Sequence, residues 1–355
     1  MAGLGDAKLR PHLIDYRESG HAPWQELETL VLENRVRALV AMNGVGFPYG
    51  GHELLAQRGV TIFVLGMDHP CHLFPLMEAA PPGTCISFPT ASNLDFAHRY
   101  MRDDLRYLHI PHGAAARLPR AWDERDIDVL MIGNLRRDSR ACAANWASRG
   151  PEAPVLEIMR EMYLTEGAET LEGLGERALA ATGNDTVPLA QPAGFARLLR
   201  DFDPYARSLL REIILTELTG LPVLVVGEWP DATTNRHDSH VFTGPQDAGT
   251  VADMVGRAKI IINVVPAYYR SHERIFDAMA AGAVSISMAP TDFADLDSMH
   301  GVLSVDDPSD MGQLIAALLA DDGDLGERGR AAAALAAKHR WTDRFQIAED
   351  AIFIN

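Results

Sequence analysis

Short β-branched runs alternate with helical stretches in two separate series, and this restricts the fold more than any other feature of the chain. In the first series, Val36–Met42, Thr61–Leu65, Cys85–Phe88 and Leu105–Ile110 read as strands. The turn Asn43-Gly44-Val45-Gly46, a short helix over 50–58, and a helix opening at Ser92 with Asp95 three residues on separate them. Pro111-His112-Gly113 closes the series, and a polar stretch over 114–126 reads as a linker. The second series has strands at Asp128–Ile132, Val223–Val226, Lys259–Val265, Ala283–Met288 and Gly301–Val305. The first of these runs through Gly133-Asn134 into an arginine-rich helix start. Two such runs predict an α/β protein of two doubly wound domains, with a cleft between them as the default ligand site.

Composition narrows the function. The chain has 355 residues, 47% of them apolar, enough for two cores without staples. Acidic residues outnumber basic ones 49 to 32, for a net charge of -17. This argues against duplex nucleic acid as a partner, because that affinity comes from Lys and Arg on phosphate. A small anion needs only a few local donors. Cys71, Cys85 and Cys142 form neither a metal spacing nor a disulfide framework, which points to a reducing compartment. Residues 1–20 lack the apolar core of a signal peptide, and no apolar run is long enough to span a bilayer, so a cytoplasmic location is expected.

Residues 141–220 form a long, mostly helical insertion in the second series. Its last helix reads as capped by Asp203 with Pro204 at the first position, an apolar stripe from Leu209 to Ile214, and a stop at Gly220. Arg207 and Arg211 read as its solvated face.

Three segments carry candidate chemistry. Ser271–Gly282 (SHERIFDAMAAG) follows a strand and starts a helix near His272. The first amides of such a helix, at Ser271, His272, Glu273 and Arg274, suit a phosphate, and Asp277 can reach sugar hydroxyls. The alternative is an ordinary amphipathic helix with Ile275, Ala278 and Met279 as its buried stripe. Arg136 and Arg137, in the turn after Gly133-Asn134, are suited to a diphosphate by their planar forks, or are a solvated pair beside Asp138. Asp68-His69-Pro70 follows a strand of the first series, where a His–carboxylate pair can act as base for an acceptor hydroxyl or support the transferred sugar. A plain turn capped by Asp68 is the alternative. Asp295-Leu296-Asp297 resembles a metal-binding DxD but reads as a solvated loop, so no metal is expected. His112 reads as the end of the first domain rather than a catalytic group.

SHERIFDAMAAG resembles the donor-binding segment of GT-B glycosyltransferases, particularly the CgeB-like (spore-maturation-protein-like) group related to family 4. VLGMDHP (64–70), IDVLMIGN (127–134), AKIIINVVP (258–266) and KHRWTDR (338–344) fit the same template in order. The resemblance implies two Rossmann-like domains: an acceptor domain over 1–120, a nucleotide-sugar domain over 121–335, and a helix over 336–355 returning toward the first. It implies a metal-independent, hexosyltransferase-like enzyme with no cofactor beyond its donor, a nucleotide-diphosphate sugar. The acceptor would be a polysaccharide, protein, lipid or small metabolite. Ser271–Arg274 with Arg136 or Arg137 would hold the diphosphate, Asp277 the ribose, and Asp68 and His69 would lie near the reacting carbon. In family 4 two glutamates separated by seven residues flank the donor and the second binds the ribose; here Tyr269 and Asp277 stand in those places. A nucleotide-sugar epimerase of the same fold, or a catalytically silent scaffold using the insertion as a partner surface, are the alternatives.

Overall fold

The computed structural model describes residues 12–14, 23–44, 52–183, 191–230, 233, 239–288, 292, 296 and 301–353. Asp295 and Asp297 of the DxD, and Val45 and Gly46 of the first turn, lie outside them. The chain divides into two units, Met1–His112 with Trp341–Asn355, and Gly113–Arg340. The sequence pattern puts these boundaries a few residues away, at 120 and 335.

In the first unit, α1 (Pro23–Leu32), β1 (Ala38–Met42), α2 (His52–Gln57), β2 (Thr61–Leu65), α3 (Pro70–Ala79), β3 (Cys85–Phe88), α4 (Ala91–Tyr100) and β4 (Arg106–His109) follow one another. The strands pair in parallel in the order β1-β2-β3-β4. Parallel strands are covered on both faces, which is why β2 and β3 are almost wholly apolar. Phe63, Val64, Cys85, Ile86 and Phe88 are fully buried. α4 starts earlier than its apparent capping box. Extended Thr90 is the N-cap, its Oγ1 accepting from the Asn93 amide at 3.2 Å, and Ser92 lies inside the first turn.

The second unit contains β5 (Ile127–Ile132), α5 (Ser139–Ala144), α6 (Glu152–Glu166), α7 (Leu171–Thr182), α8 (Pro192–Glu217), β6 (Val223–Val226), β7 (Val241–Phe242), α9 (Ala248–Arg257), β8 (Ala258–Asn263), α10 (Glu273–Ala281), β9 (Val284–Met288), β10 (Val302–Val305), α11 (Met311–Leu319) and α12 (Asp322–Ala336). Its six strands are all parallel, in the order β10-β9-β8-β5-β6-β7. This is the doubly wound order, and its direction reverses between β5 and β8. The loops leaving the carboxyl ends of those two strands therefore diverge and leave a crevice.

The insertion differs from its sequence reading. α8 is one continuous helix from Pro192 to Glu217, with Pro204 in its interior rather than at a start. An internal proline costs a helix about 3 kcal/mol. The apolar stripe on both sides (Phe195, Leu198, Leu199 and Phe202 before it; Tyr205, Ala206 and Leu210 after) is buried and outweighs that cost.

The last helix, α13 (Trp341–Phe353), groups with the first unit. Ala348 and Ile352 pack with Phe63, Leu65, Cys85 and Ile110. The Arg344 Nε donates to the His112 carbonyl at 3.4 Å. Among the described residues no helix is long and apolar enough to cross a membrane. All three cysteines are buried and unpaired.

The expected linker is laced to the second unit. Arg257 donates twice to Asp126, at 2.7 and 2.6 Å, and Arg120 pairs with Asp253. Arg125 is 5% exposed and donates to the carbonyls of Ala258 and Ala281 while lying over the Trp122 ring. Ala281 ends α10, where the helix dipole favours a cation. Arg125→Ala is expected to lower the unfolding free energy of this unit by about 2 kcal/mol, from lost charge-assisted bonds and stem packing. Urea titration checks this; a change below about 0.5 kcal/mol, the range of ordinary surface substitutions, would make the strap ornamental.

Candidate functional site

The crevice of the second unit is built from the chain leaving β5 and the chain leaving β8. After β5, the Gly133 amide donates to Val226 O at 2.9 Å and the Leu135 amide to Glu228 O at 2.7 Å. The Glu228 amide returns a bond to the Asn134 Oδ1 at 2.8 Å. Gly227 makes this closure possible: its φ is +134°, and a Cβ there would sit 2.1 Å from the Gly133 carbonyl oxygen. The expected helix does not follow at once. α5 begins only at Ser139, where Asp138 caps the Ala141 amide at 2.6 Å and the Ser139 amide and hydroxyl both reach Glu212 at 2.7 Å. Arg136 and Arg137 are thus on an exposed bend, and Arg136 meets Glu228 at 3.3 Å.

After β8, Asn263 is 1% exposed and donates to the Ser287 hydroxyl at 3.3 Å. A single turn over Ala267–Tyr269 ends at Arg270, which is left-handed (φ 49°) and ion-paired with Asp292. Ser271 follows, 3% exposed. His272 is the N-cap of α10, its Nδ1 accepting from the Arg274 amide at 3.2 Å. The reading of Ser271–Arg274 as a row of unpaired amides is therefore corrected at both ends, because the Ser271 amide donates to the Tyr269 carbonyl and the cap uses the Arg274 amide. Gly282 (φ 72°) ends the helix in the left-handed form, as a Gly just past a helix end commonly does.

α10 is apolar on two sides. Ala278 and Ala281 face the sheet with Leu130 and Ile261. Ile275, Phe276 and Met279 face Ala332 and Leu335 of α12. The amphipathic alternative thus describes its packing, and Arg274 and Asp277 share the remaining edge. Burial raises the Asp277 carboxyl above its ordinary value against the pull of Arg117 and Arg274. Burial also lowers the Arg274 guanidinium, partly offset by Glu273 and Asp277.

Sequence reasoning missed the contribution of α8. Arg207 and Arg211 are not a solvated face. Arg211 donates from Nη1 to the Asn134 carbonyl at 2.6 Å. Arg207 lies 4.5 Å over the Tyr269 ring, with its Nε 2.7 Å from Asp203. Asp203, expected as a cap, is 1% exposed and accepts from the hydroxyls of Tyr268 and Tyr269 at 2.8 and 3.1 Å. A buried carboxylate thus stands beside Tyr269, where the family pattern places a glutamate. Its only sequence signal was an acidic residue on a helix with an otherwise apolar stripe.

In the first unit, Asp68 and His69 follow β2. Asn43, left-handed at φ 48° after β1, donates from Nδ2 to Asp68 at 2.9 Å and accepts the Met67 amide at 2.6 Å. Asp68 is half-buried, whereas His69 is 2% exposed. The His69 Nδ1 caps α3 by accepting the Cys71 amide at 3.2 Å, and its ring packs edge-on against Phe96 at 5.1 Å. His69, not Asp68, is therefore the cap of this turn.

Comparisons with known proteins agree with the fold. Residues 200–350 match a family model described as glycosyl transferase-like. Sucrose-phosphate synthase from Thermosynechococcus elongatus is similar over 95% of this chain and 79% of its own, at 12% identity and a TM-score of 0.52. Anabaena HepE in complex with UDP-glucose is similar over 92% of this chain and 80% of its own, at 10% identity and a TM-score of 0.52. TarM is similar over 93% of this chain and 58% of its own, at 9% identity and a TM-score of 0.51. No curated protein matches the sequence. The fold is that of GT-B glycosyltransferases. The family-model match thus covers the later part of the chain, and the likeness in architecture extends over nearly all its length.

Proposed function

We propose that this protein is a glycosyltransferase of the CgeB-like, family 4-related kind that moves a sugar from a nucleoside-diphosphate donor to an acceptor hydroxyl. The observation that carries the reading is the β5–β8 reversal, which brings Gly133–Arg137 and Ser271–Asp277, 134 to 144 residues apart in sequence, to one crevice. HepE, similar in fold, is described in complex with UDP-glucose, which supports a nucleotide sugar as donor.

In this reading the diphosphate lies at the start of α10, near Ser271, His272 and Glu273, with Arg136 or Arg137 and Arg274 as cationic partners. Asp277 accepts a ribose hydroxyl. The acceptor oxygen attacks the anomeric carbon as the bond to the phosphate oxygen breaks, and the nucleoside diphosphate leaves with its charge held by fixed donors rather than a metal. Asp68 takes the acceptor proton, held by Asn43, while buried His69 fixes the turn. A cytoplasmic location belongs to the same reading.

A panel of UDP-, GDP- and dTDP-sugars, read by released nucleotide, tests the activity. Calorimetry with UDP, GDP and dTDP tests the site. Asp277→Ala is expected to weaken the nucleoside diphosphate that binds by about 10- to 100-fold, the value of one hydrogen bond to a charged group. Binding to none of the three would favour a silent scaffold, and conversion of a nucleotide sugar with no acceptor present would favour an epimerase.

A further inference from the structure

Arg211 is a half-buried cation beside the turn after β5. It comes from α8 in the insertion, outside every segment that carries the family resemblance. Among the described residues it makes a single hydrogen bond, from Nη1 to the Asn134 carbonyl at 2.6 Å. Its Nε is closed to water and has no hydrogen-bond partner among the described residues. Burial, reinforced by Arg207 and Arg274, pulls its guanidinium down to about 10, with Asp203 and Tyr269 only partly opposing. Asp203 meanwhile is already engaged by Arg207 at 2.7 Å and by two tyrosine hydroxyls. Three guanidinium groups from two helices thus converge beside the turn after β5. Concentrating like charge in a poorly solvated place is unfavourable unless an anion completes it.

We propose that Arg211, set in place by Asn134 and flanked by Arg274, is a binding residue for the phosphoryl anion of the donor. In this arrangement the insertion helix, rather than the exposed Arg136 and Arg137, supplies the principal guanidinium of the subsite. This rests on the nucleotide-sugar reading and refines it. The geometry favours Arg211 on two counts. A half-buried guanidinium interacts more strongly with an anion than an exposed one, because water screens it less. Arg136, by contrast, is 77% exposed and already faces Glu228.

The test uses inorganic pyrophosphate, which needs no knowledge of the base, titrated calorimetrically into the full chain. Arg211→Met keeps the apolar stem, and it is expected to weaken pyrophosphate by about tenfold or more, the value of a charge-assisted contact. The double variant Arg136→Ala/Arg137→Ala is expected to weaken pyrophosphate less than Arg211→Met does, since both of its guanidinium groups are exposed. Arg211→Lys, which keeps the charge but loses the fork, is expected to fall between Met and wild type, and serves if the Met variant does not fold. Wild-type affinity in Arg211→Met, or in Arg211→Lys if only that folds, would overturn the assignment while leaving the glycosyltransferase reading in place. A wild-type chain that binds neither pyrophosphate nor UDP, GDP or dTDP would remove the reading itself.

Discussion

Replacing Asp203 by alanine is expected to lower the unfolding free energy of the second unit by about 3–5 kcal/mol, the cost of removing one partner from a buried ion pair. Asp203 is 1% exposed, pairs with Arg207 at 2.7 Å and accepts from the hydroxyls of Tyr268 and Tyr269. Alanine takes the carboxylate away from all three donors at once. Two of them are desolvated: Tyr268 is 2% exposed, and burial together with the Asp203 charge holds its hydroxyl far above its ordinary pKa. Asp203→Asn keeps an acceptor for one hydroxyl and is expected to lose less. The damage would also reach the site, since Tyr268 and Tyr269 form the turn that delivers Ser271 and α10. Urea unfolding followed by tryptophan fluorescence measures the effect. A loss under about 1 kcal/mol, typical of an average substitution, would show that this network does not tie the insertion to the site.

The same residues show what the sequence made legible. Strand positions were readable because buried parallel strands are continuous apolar runs. Thr61–Leu65, Cys85–Phe88 and Val223–Val226 coincide with their strands, and the others shift by a residue or two. The crevice was readable for a related reason, since a loop at the carboxyl end of a strand near a switch point is local information. What escaped is non-local. Asp203-Pro204 has the form of a helix start, and only the burial of the stripe on both sides keeps the helix running through it. α3 escaped because its ten residues contain Pro70 and Pro75, although Pro70 occupies a first-turn position where no amide is missed. Arg207 and Arg211 are spaced like any solvated helix pair. Their partners lie as much as 77 residues away in sequence, and no spacing within α8 announces them.

Acid is expected to destabilise the first unit well before its carboxylates are protonated, through His112. This side chain is 1% exposed, and burial holds its pKa down to about 3, against a hydrogen bond with the Met67 backbone. In the unfolded chain the same imidazole titrates near 6.5. The folded state therefore excludes a proton that the unfolded state accepts. The stability contributed by the neutral form is complete above about pH 6.5 and falls as pH drops toward 3. Each pH unit inside that window removes at most about 1.4 kcal/mol, and half that slope applies at pH 6.5, so roughly 2 kcal/mol is lost between pH 6.5 and 4.5. His112→Leu removes the titrating group while keeping an apolar volume, and its unfolding free energy is expected to fall less steeply across the same range. Parallel pH profiles for the two proteins would assign the acid sensitivity to other groups. The consequence is functional because Met67 precedes Asp68, and the Asn43 side chain binds both, accepting the Met67 amide and donating to the Asp68 carboxylate. A protonated His112 would have to leave its place beside Met67 to reach water, and the turn that holds the Asp68 carboxylate would loosen with it. Transfer activity is accordingly expected to decline below pH 6 in step with the loss of stability, and to be restored on return to neutral pH.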